Sequence, residues 1–359
     1  MFDFFQKNIF GLDISDYSIE MVSLGGTIEK PRLLAMSREI LEAGTVENGK
    51  VLNKEKLEAV LKKIIKKPKF GKLRNKKFIF SIPESKAFIH SFELKDDLEK
   101  NKIEKEIEIQ AINNFPFPTK DLYYDFKIKN KEVFLIACPR DIIEDYLAVF
   151  RRIKILPIAA EIESISLARA LIGESKETIL IADIGTRTTN LSIFSDNRLR
   201  LSISINIAGD KFSQALMEKL NITFLEAENS KKEIGLNSEK EEGKVFNVLQ
   251  KEIQQIIAEI QKFEDYFREK ERKTIGRVIL AGGSAALPNL VDYLAENLER
   301  SVMIGDPWEK INIDILRKKE YFEKALEINP ALYAGVIGSA LRGLTANSAR
   351  DGINLLPKH

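Results

Sequence analysis

Two short stretches, Phe10-Gly-Leu-Asp-Ile-Ser15 and Ile181-Ala-Asp-Ile-Gly-Thr186, decide the fold, because each places an aspartate where an apolar strand runs into a turn. They lie about half a chain apart. A third stretch, Val278-Ile-Leu-Ala-Gly-Gly-Ser284, ends in a turn of small residues. Glycine has no Cβ, so backbone N–H groups in such turns can approach a phosphate. The three stretches predict two related α/β lobes that close on a nucleotide.

Length and composition limit the class of protein. A chain of 359 residues exceeds the size at which one core stops growing, so two lobes are expected. The residues are 44% hydrophobic and 31% charged, as in soluble globular proteins. The net charge of +2 argues against binding of nucleic acid by bulk electrostatics. Only His90 and His359 carry imidazoles, which argues against histidine metal sites and Ser-His-Asp catalysis.

The expected location is the cytoplasm. Cys138 is the single cysteine, so an internal disulfide is excluded and a reducing compartment is favoured. No apolar stretch approaches the roughly 20 residues of a membrane span, and no signal peptide is visible.

Hydrophobic spacing predicts the order of the elements. A hairpin is expected over 9–24 and an amphipathic helix over 54–67. A strand–helix–strand–strand–helix block follows to about residue 150, and its helix over 96–114 stops at Phe115-Pro-Phe-Pro118. The second half repeats the first in outline, with the following predicted elements: strands at 178–183, 190–195 and 199–206, a helix from Asp210, and helical structure over 226–274.

The order of these motifs resembles the actin-like nucleotide-binding fold of actin, heat-shock chaperone ATPases and sugar kinases. In that fold the two Asp turns are phosphate loops, and a Gly-Gly turn such as Gly282-Gly283 lies at the adenosine. The resemblance implies that ATP or ADP binds in the cleft between the lobes, with Asp13 and Asp183 holding Mg²⁺ through its water shell. The nucleotide-binding residues it implies are Asp13, Ser15, Ser18, Asp183, Gly185, Thr186, Thr188, Asn190, Gly209, Asp210, Gly282, Gly283 and Ser284.

Within this fold the chain resembles the PilM family, cytoplasmic actin-like components of type IV pilus assembly that are related to the division protein FtsA. The resemblance runs from Phe10 to Leu344 and includes Ser81-Ile-Pro-Glu84, Ile158-Ala-Ala-Glu-Ile-Glu163 and Gly338-Ser-Ala-Leu-Arg-Gly-Leu344. The inserted block resembles the SHS2 subdomain that PilM and FtsA share. The division implied is a first lobe (1–80), the inserted subdomain (81–155), a linking helix (156–176), a second lobe (177–330), a return helix (331–345) and a tail (346–359).

The first phosphate loop departs from the family pattern, in which Asp-Ile-Gly is followed by small hydroxyl residues and a lysine. Ser15 replaces the glycine, Glu20 replaces the lysine, and Asp16 adds a carboxylate. Anionic side chains facing a triphosphate repel it. We therefore expect nucleotide binding, with ATP hydrolysis slow at most. Glu163 is the candidate to orient or deprotonate the attacking water; the alternative is a carboxylate placed in a first helical turn by the helix dipole.

The C-terminal segment Ile353-Asn354-Leu355-Leu356-Pro357 looks like the short cytoplasmic N-terminal motif of PilN, the membrane partner of PilM. The resemblance implies a scaffold that binds this peptide of a PilN-like protein on the inserted subdomain and is thereby recruited to the inner face of the cytoplasmic membrane. Our hypothesis is that the tail mimics the partner peptide in the same groove, in its own molecule or, by self-association, in a neighbour's. The alternative is an unbound tail.

Two other functions remain open at this point. One is a filament-forming cytoskeletal protein of the FtsA type, although FtsA usually ends in an amphipathic membrane helix. The other is an actin-like small-molecule kinase, which requires a substrate base and polar sugar contacts that the sequence does not display.

Overall fold

The computed structural model describes residues 9–95 and 100–358, without the side chains of Lys100 and Asn101. The chain divides into two compact units. The first contains the residues up to Ala170 together with Trp308–Ile328 and the segment from Gly335 onward, and the second contains Leu171–Pro307 and Asn329–Ala334.

The N-terminal part of the chain forms three sheets of the first unit, with six, three and two strands. Its elements are β1 (Phe10–Ile14), β2 (Ser18–Gly26), β3 (Pro31–Ile40), β4 (Val46–Glu47), β5 (Lys50–Val51), α1 (Lys54–Lys66), β6 (Phe70–Gly71), β7 (Lys77–Ile82), β8 (Phe88–Glu93), α2 (Lys100–Asn114), β9 (Leu122–Lys129), β10 (Glu132–Pro139), α3 (Arg140–Arg152), β11 (Leu156–Ile162) and α4 (Glu163–Leu171). A six-stranded sheet has the order β11-β7-β1-β2-β3-β6, and β4 pairs with β5.

Aromatic side chains fill the core between the six-stranded sheet and α3. Phe78 of β7 stacks on Phe10 of β1 at a centroid distance of 5.2 Å and meets Phe150 of α3 edge-on at 4.8 Å. Such edge-to-face and offset pairs add to the free energy gained by burying the rings. The helix α1 begins at Asn53, whose side chain accepts the N–H of Lys56, as an N-cap residue does.

The three-stranded sheet β8-β10-β9 is covered on one face by α2. Its core consists of buried side chains from α2 and the residue after it, from β9 and from the central strand β10: Ile107, Ala111, Phe115, Leu122, Val133, Leu135 and Ala137. The strand–helix–strand–strand–helix order predicted from the sequence is therefore present in β8, α2, β9, β10 and α3. The predicted start of this helix at residue 96 lies outside the described residues, and α2 is described from Lys100.

The second unit follows, and the chain then returns to the first. The elements of the second unit are β12 (Ile179–Ile184), β13 (Thr189–Ser195), β14 (Arg198–Ile205), α5 (Gly209–Leu220), α6 (Phe224–Glu233), α7 (Lys244–Glu271), β15 (Arg277–Ala281), α8 (Leu290–Leu298) and β16 (Ser301–Ile304). The returning helices are α9 (Phe322–Leu326) and α10 (Ala334–Arg342). A five-stranded sheet has the order β14-β13-β12-β15-β16.

The two large sheets repeat one topology. In each, the strand that carries the loop aspartate pairs antiparallel with the next strand and parallel with a later one. The order β3-β2-β1-β7-β11 in the first unit thus corresponds to β14-β13-β12-β15-β16 in the second. The α/β fold with two related halves, predicted from the paired Asp turns, is confirmed.

Two predicted helices are corrected by the structure. The linking helix predicted over 156–176 is wrong at its start, because Leu156–Ile162 is strand β11, parallel to β7, and only Glu163–Leu171 is helical. Its apolar run is typical of a strand buried in a parallel sheet. The helical stretch predicted over 226–274 is interrupted at Gly235 and Gly243, which have φ of +56° and +72° and separate α6 from α7.

Candidate functional site

The first loop joins β1 to β2, and the hydroxyl group of its own Ser15 bonds the backbone of the loop. The N–H of Ser15 donates to the carbonyl of Ser18 at 2.9 Å. The Ser15 Oγ accepts the backbone N–H groups of Ser18 at 2.9 Å and Tyr17 at 3.2 Å. The Ser15 hydroxyl therefore receives two backbone amides of its own loop. The glycine that the family pattern places here could not do so.

The two carboxylates that crowd the first loop are tied to other parts of the first unit. Asp16 accepts the N–H groups of Asn48 at 2.6 Å and Gly49 at 2.9 Å, in the turn between β4 and β5. Glu20 pairs with Arg38 of β3 at 2.7 Å and is buried. Arg38 also donates to the Ser18 hydroxyl at 3.2 Å. The substituted residues of this loop are therefore held by neighbouring elements.

Asp13 and Glu20 face each other across β1 and β2. Burial raises the pKa of Asp13 to about 6, against a smaller effect of the Ile14 N–H. Burial and then the Asp13 charge raise the pKa of Glu20 to about 7, while Arg38 opposes the shift. One oxygen of Asp13, Oδ1, has no hydrogen-bond partner within the described residues. This loop therefore resists full ionisation near neutral pH.

The raised pKa values give a prediction for pH-dependent stability. The Glu20 carboxyl titrates at 4.5 when unfolded and at about 7 when folded, so the unfolded chain loses this proton first as pH rises. Stability contributed by the protonated carboxyl is present below pH 4.5 and is lost between about pH 4.5 and 7. We expect Glu20→Gln to reduce this loss, measured by urea denaturation at a series of pH values.

Glu39→Gln serves as the matched control, because Glu39 is a partly exposed carboxylate on β3 that pairs with Lys63. An unchanged pH profile in Glu20→Gln would contradict the assignment of this loss to Glu20.

The second loop joins β12 to β13 with the same turn but without the crowding. The N–H of Gly185 donates to the carbonyl of Thr188 at 3.0 Å, as Ser15 does to Ser18 in the first loop. Across the strands, Asp183 faces Asn190, the position that corresponds to Glu20. A neutral amide thus stands where the first loop has a second carboxylate.

The remaining predicted residues of the second unit converge on this loop. Gly209, at the start of α5, donates its N–H to the carbonyl of Gly185 at 3.1 Å, and Asp210 donates to that of Thr186 at 2.8 Å. The Ser284 hydroxyl donates to the carbonyl of Gly185 at 3.3 Å. A Cβ on Gly209 would stand 3.0 Å from Ser284 Oγ. The structure therefore brings together residues that are about 100 positions apart in sequence.

Gly282 follows β15 and has a backbone that only glycine adopts readily, with φ of +82° and ψ of 172°. A Cβ there would stand 2.6 Å from the carbonyl oxygen of Ile184 and closer still to Asp183 Oδ1. Gly283 differs, because a Cβ at this position meets only a Leu332 methyl at 3.2 Å. Any side chain at Gly282 would therefore collide with Asp183 and with the Ile184 carbonyl.

Sequence reasoning missed a buried lysine beside this loop. Lys231 of α6 donates to the carbonyl of Gly209 at 2.9 Å and pairs with Glu228 at 2.6 Å. The Ser213 hydroxyl also donates to Glu228. Burial opposes ionisation of Glu228, but these donors lower its pKa. The one sequence signal was the i, i+3 spacing of glutamate and lysine on a helix, which is common on exposed helices.

Glu161 and Glu163 have different surroundings in the first unit. Glu161, on β11, is fully buried and pairs with Arg169 and Arg342, each at 2.6 Å. Burial alone would raise its pKa, but the two guanidinium groups lower it to about 2. Glu163, in the first turn of α4, is partly exposed and accepts the N–H of Glu84 at 3.3 Å. Glu161 is a structural anion, whereas the catalytic role of Glu163 stays a prediction.

The C-terminal segment lies on the first unit, with Ile353 and Leu355 buried. The N–H of Leu355 donates to the carbonyl of Ala160 at 2.9 Å, and that of Asn354 donates to Asp125 at 2.9 Å. Leu356 and Pro357 are half-buried. We call residues 353–357 the docked tail, and the channel between β11 and β9 that holds it the tail groove.

Among residues 9–95 and 100–358, no helix is long and apolar enough to cross a membrane. No group of three or more His, Cys, Asp or Glu side chains among these residues is arranged to hold a metal ion.

Repeated sheets with an Asp-bearing loop at equivalent positions define an actin-like α/β protein. Residues 11–344 match the family described as type IV pilus assembly protein PilM. The chain belongs to this family.

Solved structures agree with the fold. A PilM–PilN type IV pilus biogenesis complex superposes with a TM-score of 0.79 at 19% identity, covering 94% of this chain and 99% of that one. Ethanolamine utilization protein EutJ from Carboxydothermus hydrogenoformans gives 0.56 at 15% identity, covering 93% and 89%. MreB 5 of Spiroplasma citri bound to AMPPNP gives 0.50 at 17% identity, covering 89% and 96%.

Proposed function

We propose that this chain is a nucleotide-binding scaffold of the type IV pilus assembly platform that docks an extended peptide of a PilN-like inner-membrane protein. Family membership supports the pilus role. The single observation that carries the peptide part is the docked tail, an extended apolar segment held by backbone and carboxylate groups of the first unit. Docking of a membrane protein's peptide there recruits the scaffold to the inner face of the membrane.

The second loop fits a nucleotide phosphate. Close backbone packing at Gly209 and Gly282 leaves no room for a Cβ, so the turn is free of side chains at both positions. The N–H groups of Gly185 and Gly209 already donate to carbonyls, so the groups that would hold the phosphates are the backbone amides of the turn after Gly185 and of Gly283, with the hydroxyls of Thr186 and Thr188. MreB 5 of Spiroplasma citri, which shares the fold, was solved with AMPPNP. ATP or ADP is the proposed ligand, and Asp183 would hold Mg²⁺ through water.

We propose further that bound nucleotide mainly sets the conformation in which this protein meets its partner, and that the protein does not hydrolyse ATP rapidly. In the first loop the Ser15 hydroxyl already receives the backbone amides of Tyr17 and Ser18. Asp13 and Glu20 add two carboxyls that would oppose a triphosphate. Hydrolysis is slow at most, and Glu163 is the residue proposed to orient the attacking water.

The test is capture by the cytoplasmic N-terminal peptide of a PilN-like protein. We expect the full chain to bind this immobilised peptide, with an affinity that ATP and Mg²⁺ change. If ATP changes the peptide affinity, the peptide must change the ATP affinity by the same factor. A scrambled peptide of the same composition is the control, and calorimetry gives both affinities.

Three results would contradict this proposal in different ways. A peptide affinity that is the same with and without ATP would indicate an adaptor whose binding nucleotide does not control. Absence of peptide binding together with phosphorylation of a small hydroxylated substrate would favour a kinase. Nucleotide-dependent polymerisation without peptide binding would favour a cytoskeletal filament.

A further inference from the structure

The tail groove is formed by two sheet edges of the first unit. β11 is the edge strand of the six-stranded sheet, and β9 is an edge strand of the three-stranded sheet. Edge strands present backbone N–H and C=O groups that can pair with another chain. In this chain residues 350–358 bond the backbone of β11 and the side chains of Asp125 and Lys127 on β9.

Asn354 completes the pairing of β11. Its side-chain oxygen accepts the N–H of Ala160 at 3.1 Å, and its side-chain amide donates to the carbonyl of Ile158 at 3.2 Å. The adjacent Leu355 N–H donates to the carbonyl of Ala160 at 2.9 Å. The edge of β11 is thus bonded by one backbone N–H and one side-chain amide of the tail, while Ile353 and Leu355 are buried.

Charged groups hold the opposite side of the tail. The carboxylate of Asp125 on β9 accepts the Asn354 N–H at 2.9 Å and pairs with Lys358 at 3.1 Å. Lys127 donates to the carbonyl of Arg350 at 2.9 Å. The groove therefore selects an apolar–Asn–apolar segment followed by a basic residue.

Arg342 ties the tail to its own molecule. Its guanidinium donates to the carbonyls of Ser348 at 2.9 Å and Ile353 at 2.7 Å, and it pairs with Glu161. The loop from Arg342 to Ile353 thus wraps around the side chain from which it starts. A tether this short gives the tail an effective concentration on the order of millimolar at the groove.

We propose that the docked tail is a tethered competitor: it occupies in cis the groove that the partner peptide needs, so the peptide docks only when the tail leaves. This inference rests on the proposed function. The partner that fits is an extended peptide with an asparagine between two apolar residues. Release of the tail requires no rearrangement of a helix or strand, because residues 343–357 contain neither, but it exposes Ile353 and Leu355 and breaks the Arg342 hydrogen bond to the Ile353 carbonyl.

The test compares the full chain with a chain ending at Ala349 and with the full-length variant Leu355→Asp, which expels the tail if the truncated chain fails to fold. The probe is the labelled PilN-type peptide of the capture experiment, followed by fluorescence anisotropy. We expect both tail-released proteins to bind it at least about tenfold more tightly than the full chain, since occupancy reduces apparent affinity. An unlabelled peptide of residues 350–359 should displace the probe.

Matched variants identify the groove. Leu326→Asp makes the same change at a leucine that is 69% exposed and should leave affinity unchanged. In the tail-released background Asp125→Ala should weaken binding about tenfold, because it removes a charged acceptor, whereas Asp121→Ala, at an exposed carboxylate, should not.

The proposal that the tail competes is contradicted if the full and tail-released chains bind the labelled peptide with equal affinity. It is also contradicted if the 350–359 peptide does not displace the probe. In either case the proposed function stands. Absence of probe binding to every protein overturns the proposed function, and the competitor with it.

Discussion

Replacing Glu161 with glutamine will lower the free energy of unfolding by about 3–5 kcal/mol, the usual effect of removing one partner from a buried ion pair. Glu161 is fully buried, and Arg342 is 1% exposed. Glutamine keeps the shape of the side chain but leaves two guanidinium groups without their anion. The cost arises from those uncompensated charges, because Arg342 cannot move to water without also releasing Ser348 and Ile353.

Urea denaturation followed by circular dichroism measures this loss, and pH supplies a second readout. The Glu161 carboxyl titrates at 4.5 when unfolded and at about 2 when folded. Its contribution is therefore present above pH 4.5 and is lost as pH falls toward 2. The difference between wild type and Glu161→Gln should shrink over this range.

Glu163→Gln is the control, because it makes the same change two residues away at a partly exposed carboxylate. Equal destabilisation by the two variants, or a difference that persists at pH 2, would contradict the assignment.

The second loop could be predicted from sequence because its aspartate, glycine and hydroxyl residues follow one another along the chain. Asp183 and Gly185 stand where an apolar strand meets a turn, and Gly282 and Ser284 repeat that pattern after another strand. Such turns are common in α/β proteins when taken singly, but their order along alternating strands and helices indicated a common location. The structure places them around one point, as described above.

The features that could not be predicted depend on pairing between distant segments. Nothing near Asp16 in sequence indicates that its carboxylate binds the turn at Asn48 and Gly49. Likewise Glu161 looked like a residue of a helix start, and only the parallel pairing of β11 with β7 buries it between two arginines. Tertiary contacts override local patterns at these positions.

The tail illustrates the same limit. Its resemblance to the N-terminal motif of PilN suggested a docking peptide, but the sequence left open whether it binds in cis, in a neighbour or nowhere. The answer depends on Arg342, whose side chain holds the loop at both Ser348 and Ile353. These contacts of Arg342 arise from the folded geometry and could not be predicted from composition.

Gly282→Ala will weaken ATP binding by about tenfold to 100-fold if the second loop holds the phosphates as proposed. Alanine at φ of +82° and ψ of 172° carries a strain of about 1–3 kcal/mol. Its Cβ also meets the Ile184 carbonyl and Asp183 Oδ1. The loop must shift to relieve both, which misplaces Asp183 and the amides that face the phosphates.

Gly283→Ala is a matched control one residue away, since its Cβ meets only a flexible Leu332 methyl. Titration of each variant with ATP and Mg²⁺ in a calorimeter gives the affinities, and circular dichroism checks that both variants fold. Equal ATP affinity in a folded Gly282→Ala and the wild type would place the phosphates elsewhere. A loss confined to Gly282→Ala would instead assign them to the loop in which Asp183, Gly185 and Ser284 meet.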